Sequence, residues 1–272
     1  MEQRIDNFLF QYEQPEPTKF KWPLVLFGEL FTTRRHLGSL LGYLATMGWE
    51  GWIPDLREAS NSSPSDLNLE GGAELARKSL EALARELIVI GHGLGGLMAL
   101  KLASEPYVKA AVAIAPLAPG FSSPLYASAK TLFGLRKSTL APPKKKVLLD
   151  MMVGVEPGLF EPLAARLVPE PSALVDDIEH NRIELPKADR SAPRLIIAGQ
   201  DDLISPPDRL RELASEIGAQ FRAIDRRGHW LIGGRALERA ASEAHRFLVR
   251  SLGEELLLLF PEEWKTPSEK PE

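Results

Sequence analysis

The segment IVIGHGLGGLMAL, residues 88–100, sets Gly91, Gly93 and Gly96 between an apolar run and a helical pattern. Two chemistries use such glycines. Read as G-x-G-x-x-G, they would cradle a pyrophosphate, which also requires an acidic residue at the end of the next strand for the ribose hydroxyls. That strand ends AIAPLAPG and carries no carboxylate. Read as G-x-S-x-G without its serine, they form a sharp strand-to-helix bend with Gly93 in the nucleophile's place. This second pattern asks for an acid and then a histidine downstream. Asp202 follows a strand in IIAGQDDLISP, and His229 stands in DRRGHW before the last helix. A histidine steadied by a carboxylate can take a proton near neutral pH. With no hydroxyl to activate, such a dyad would activate water or abstract a proton directly from a substrate.

Four stretches in this order resemble the α/β-hydrolase superfamily, over the span from Pro23 to Leu252. GHGLGG is similar to the family's G-H-S-x-G-G. GQDDLISP is similar to its G-x-x-D-x-x-x-P acid motif, which favours Asp202 over Asp201. FGEL resembles its H-G loop, with Phe27 where histidine is usual, and PDLRE resembles its P-D-x-R-G. The resemblance implies a doubly wound, mostly parallel α/β sheet of about eight strands, with a lid inserted after the sixth and a site beneath the lid. It also implies two oxyanion-hole N–H groups, one in the loop of Glu29 and one on Leu94. About 22 residues precede the first core strand, so the usual N-terminal hairpin is expected to be trimmed.

The bend holds its central residue at positive φ, which costs a non-glycine residue about 1–3 kcal/mol and glycine nothing. Gly93 therefore fits a fold kept while the serine is lost, naturally or by design. Glu29 is expected to be a solvated carboxylate; turned inward, it would repel an oxyanion and suit a second acid/base group beside His229. His92 is expected to pack under the bend. His36, His180 and His245 show neither H-x-H nor H-E-x-x-H spacing, so no metal and no cofactor are expected.

These groups need a scaffold. PLVLFG (23–28), GWIPD (51–55), LIVIG (87–91), AAVAIAP (110–116), PRLIIAG (193–199) and QFRAI (220–224) read as strands alternating with helical patterns, the arrangement of a sheet covered on both faces. The expected organisation is an N-terminal extension (1–22), a core (23–116 and 191–253), a lid (117–190) and a C-terminal tail (254–272) read as disordered. Within the lid, Lys130, Arg136, Lys137, Lys144, Lys145 and Lys146 read as a solvated face, or else as a receiver of an anionic substrate or a carrier protein. Met151, Met152 and Phe160 read as lid core, or else as a pocket wall.

Composition excludes several classes. A net charge of −4 gives no footprint for nucleic acid, and the absence of cysteine removes disulfides and thiolate chemistry. No signal peptide or membrane-spanning run is visible, so a cytoplasmic protein without stable membrane insertion is expected. The expected partner is a small-molecule substrate or ligand. The leading expectation for function is an enzyme that uses His229–Asp202 as general base, without covalent catalysis, on a small apolar or carbonyl substrate. The alternatives are a serine esterase silenced at Gly93 and a non-catalytic ligand-binding pseudoenzyme.

Overall fold

The computed structural model describes residues 1–59, 67–125, 139–187 and 192–258. Its centre is an eight-stranded sheet in the order β1-β2-β4-β3-β5-β6-β9-β10. These are β1 (Glu2–Ile5), β2 (Phe8–Glu13), β3 (Leu24–Phe27), β4 (Gly51–Pro54), β5 (Leu87–His92), β6 (Val108–Ile114), β9 (Arg194–Gly199) and β10 (Gln220–Ile224). β1 pairs antiparallel with β2 and β2 antiparallel with β4; every other pair is parallel. The N-terminal hairpin is thus present, contrary to the expectation of a trimmed one. Only two residues separate β1 from β2, and Phe10, fully buried, packs edge-on against Trp52 of β4. A short connection made the hairpin small enough to fit in 22 residues.

The central strands are mainly apolar because both faces are covered. One face carries α1 (Gly38–Thr46) and α9 (Gly234–Leu252), packed on Leu24, Leu26, Ile88, Ile90 and Val112. On α9, Ala240, Ala241 and Ala244 are buried together with Leu237, Phe247 and Leu248, a stripe at helical spacing. The other face carries α2 (Leu56–Ala59), α3 (Leu69–Ala82), α4 (Leu94–Leu102) and α8 (Pro207–Ile217), packed on clusters that include Val25, Phe27, Val89, Ala113 and Ile196. The alternation of residues along β3 and β5 between these two faces is the period of a pleated strand.

The chain reverses its direction of growth at β3, which pairs with β4 on one side and β5 on the other. A crevice opens beyond the carboxyl ends of strands at such a switch point. Over this end lies the segment between β6 and β9. It contains a two-residue ribbon, β7 (Thr139–Leu140) with β8 (Glu170–Pro171), and α5 (Lys145–Met151), α6 (Phe160–Ala164) and α7 (Ser172–Glu179). Gly228 N–H and Trp230 N–H donate to the carbonyls of Val153 and Met151, which ties this segment to the loop of His229. Met151 is buried and Met152 packs against the same core, while Lys145 lies over the Phe160 ring. Lys130, Arg136 and Lys137, and the polar loop at 60–66, lie outside the described residues.

The start of the expected tail is ordered. Leu256 is fully buried and Leu257 bridges Phe20, because this turn closes the core beside α9. Residues 259–272, with the WKTPSEKPE stretch, lie outside the described residues. Among the described residues no helix is long and apolar enough to cross a membrane.

Candidate functional site

Gly93 follows β5 and precedes α4, with φ 56° and ψ −116°. Its neighbours need glycine for space. A Cβ on Gly91 would strike the Gly95 carbonyl, and one on Gly95 would strike the Phe27 carbonyl, so α4 sits directly against the ends of β3 and β5. Gly95 N–H donates to the Gly28 carbonyl at 2.8 Å, fastening the helix to the loop after β3.

Glu29 stands in that loop and is only 3% exposed. It is not the solvated carboxylate expected from its type. The loop turns sharply after Gly28, with Phe31 at φ 65°, and Thr32 Oγ1 donates to the Glu29 carbonyl. These contacts aim the side chain inward. Glu29 Oε1 accepts from the N–H groups of Leu30 (2.5 Å) and Leu94 (3.1 Å). Glu29 Oε2 lies 2.7 Å from His229 Nε2. A Cβ added at Gly93 would land on this carboxylate, within bonding reach of Oε2. The carboxylate therefore fills the space that any side chain at position 93 would need.

Asp202 and His229 meet on the opposite side. His229 is fully buried, and its Nδ1 lies 2.9 Å from Asp202 Oδ2. Asp202 Oδ1 accepts from the N–H groups of Ile204 (2.8 Å) and Ser205 (2.9 Å), which fixes the carboxylate in the loop after β9. Asp201, the neighbouring carboxylate, is exposed. The three side chains form an unbroken line, Glu29–His229–Asp202, drawn from the loops after β3, β9 and β10. Burial alone pulls the His229 imidazole down, but Asp202 and Glu29 together outweigh it and push its pKa up to about 10. Both ring nitrogens then carry protons, and each donates to a carboxylate.

His92 packs under the bend as expected: it is fully buried, its Nε2 lies 3.0 Å from the His229 carbonyl, and burial beside His229 lowers its pKa to about 4. Among the described residues no group of three or more His, Asp and Glu is arranged to hold a metal.

Glu29 and Leu94 also line a cavity of about 200 Å³ between the sheet end and the overlying segment. Its walls are mainly apolar, from Leu26, Leu37, Ile53, Met98 and Leu174. Arg34, Asp55, Arg57 and Glu170 supply its polar side. Glu170, from β8, accepts from Phe31 N–H at 2.7 Å and pairs with Arg57. A sequence signal for Glu170 was lacking, because a lone glutamate in a proline-rich segment reads as surface.

A family model described as "Alpha/beta hydrolase family" matches residues 23–243. The chain belongs to the alpha/beta hydrolase family. Solved structures agree on the fold of this family member. A monoglyceride lipase from Saccharomyces cerevisiae is 13% identical with a TM-score of 0.71, over 92% of this chain and 95% of that one. A lipase-esterase related protein from Clostridium acetobutylicum is 17% identical with a TM-score of 0.69, over 89% and 99%. A monoacylglycerol lipase from Paleococcus ferrophilus is 20% identical with a TM-score of 0.63, over 89% and 99%. A search of curated proteins found no match.

Proposed function

We propose that this chain is a ligand-binding member of the hydrolase family, silent in acyl transfer, whose former reaction centre is now a closed Glu29–His229–Asp202 ion chain. One observation carries this: the Glu29 carboxylate holds every element an acyl-transfer centre would need free. It takes both backbone N–H donors suited to an oxyanion, it takes His229 Nε2, and it fills the notch at Gly93. An oxyanion hole works only when its donors face the developing charge of the substrate. Here they face a carboxylate of the protein.

The raised pKa of His229 also argues against the imidazole as the general base expected from the motifs. Catalytic bases work best with a pKa near the operating pH, and an imidazolium with a pKa of about 10 has no lone pair to offer at pH 7. The glycine at 93 and the glutamate at 29 belong together. A serine removed by design would leave a void, whereas this notch is filled by a neighbour's carboxylate.

A catalytic role draws support from one feature, the placement of Glu29 on the wall of the cavity. Turnover separates the two. Wild type, His229→Ala, Gly93→Ser and Glu29→Ala/Gly93→Ser are compared on a panel of activated esters and lactones. Wild type, His229→Ala and Gly93→Ser should match the buffer blank. Only the double variant, which restores a hydroxyl and frees the N–H donors, should turn over substrate. Turnover by wild type that His229→Ala abolishes would overturn the proposal.

A further inference from the structure

The turn that aims Glu29 inward is itself strained. Thr32 N–H donates to the Glu29 carbonyl at 3.2 Å, which closes a four-residue turn over 29–32 with Phe31 in third place at φ 65°. A positive φ at that place is ordinarily taken by glycine or asparagine. A bulky residue holds it only where the surroundings over-determine the backbone. Here those surroundings come from one distant segment, 168–170. Phe31 N–H donates to Glu170 Oε1 at 2.7 Å, and the Phe31 carbonyl accepts from Val168 N–H at 2.9 Å. The overlying segment thus holds both backbone polar groups of the strained residue, and the Phe31 side chain is buried.

Of these two bonds, only the one from Glu170 is made by a side chain. Glu170 is buried and is fixed in turn by Arg57, whose guanidinium also donates to the Pro169 carbonyl. Burial raises the Glu170 pKa to about 7, against the pull of Arg57 and Phe31 N–H, and the Glu29 charge adds to the rise. A buried ion pair is weak evidence of stabilisation on its own. What this one supplies is an acceptor at the N–H that a relaxed turn would swing away. We infer that Glu170 is a positioning residue for the ion chain: by accepting from Phe31 N–H, it keeps the 29–32 turn in the conformation that presents Glu29 to His229 Nε2 and Leu94 N–H. It acts through Phe31 and the turn. Without its acceptor a buried N–H is left unpaired, which is costly; Phe31 then relaxes, and Glu29, two residues earlier, is carried off the imidazole. This inference rests on the closed Glu29–His229–Asp202 chain of the proposed function and adds what keeps it closed.

The test follows the His229 titration by nitrogen-15 NMR in the full chain, for wild type, Glu170→Met and Glu170→Gln. Both variants remove the charge and keep the length of the side chain, but only glutamine keeps an acceptor for Phe31 N–H. In Glu170→Met the titration should fall from about 10 by about 1–3 units, the span that one opposite charge in contact supplies. In Glu170→Gln it should stay near the wild-type value. Glu170→Ala, a smaller side chain that cannot overpack, should follow Glu170→Met. A merely structural role for Glu170 would lower the melting temperature and leave the His229 titration where it is. A titration unmoved in Glu170→Met and Glu170→Ala, or moved equally in Glu170→Gln, would overturn the inference while the closed chain of wild type stands. A neutral His229 in wild type at pH 8 would overturn the closed chain and this inference with it. The two failures are told apart by the protein that shows them.

Discussion

At the scale of single residues, the site turns on the exclusion between positions 29 and 93. Glycine at 93 is demanded twice, once by its positive φ and once by the Glu29 carboxylate lying where a Cβ would go. Gly93→Ser should therefore lower stability by about 2–4 kcal/mol, combining backbone strain with overpacking. Urea unfolding of Gly93→Ser against wild type checks this. Glu29→Ala/Gly93→Ser should recover part of the loss, because the collision is gone. Equal losses in the two variants would show that the carboxylate does not occupy the notch. Gly93, Asp202 and His229 were legible in the sequence because each sits in a short motif with a fixed chain order. The direction of Glu29 was not legible. A glutamate after a glycine loop reads as solvated, and only the fold brings His229, 200 residues away, to meet it.

At the scale of elements, the junction of β3, β5 and α4 positions everything else. The glycines at 91 and 95 let the helix start against two strand ends with no side chain between them. Gly95→Ala should push α4 away from the Phe27 carbonyl, breaking the Gly95–Gly28 hydrogen bond and moving Leu94 N–H off Glu29. A fall in melting temperature of several degrees is expected, in line with the 1–3 kcal/mol typical of overpacked sites. An unchanged melting temperature would show that the junction tolerates a Cβ. The main helices and strands were legible because apolar residues repeat at a period of 3.6 in the helices, and the buried strands are short continuous apolar runs between them. The N-terminal hairpin is invisible to chain length alone, because its turn takes only two residues, Asp6 and Asn7, types that favour tight turns. Within the overlying segment the pairing of Thr139–Leu140 with Glu170–Pro171 is only two residues long, too short for any periodicity to register.

At the scale of the whole molecule, the ion chain ties together the loops after β3, β9 and β10. Breaking a buried pair by removing one partner typically costs about 3–5 kcal/mol, so the chain acts as a structural bond. It also makes stability depend on pH in a defined direction. The His229 pKa is raised from 6.5 in the unfolded chain to about 10 in the fold. The protonated imidazole thus contributes its stabilisation in full below pH 6.5, and that stabilisation is lost as pH rises through about 10. Urea midpoints should fall between pH 6.5 and 10 in wild type and fall less in Glu29→Gln, where one of the two charges holding the proton is gone. Identical pH dependence in both proteins would remove Glu29 from the linkage.

The protonation of His229 can be read directly. Nitrogen-15 NMR of the histidine side chains at pH 8 should show both His229 nitrogens protonated and hydrogen-bonded in wild type, with titration near pH 10. Glu29→Gln should bring that titration down. A neutral His229 at pH 8, with a bare Nε2 and no response to Glu29→Gln, would contradict the closed ion chain and return the imidazole to service as a base.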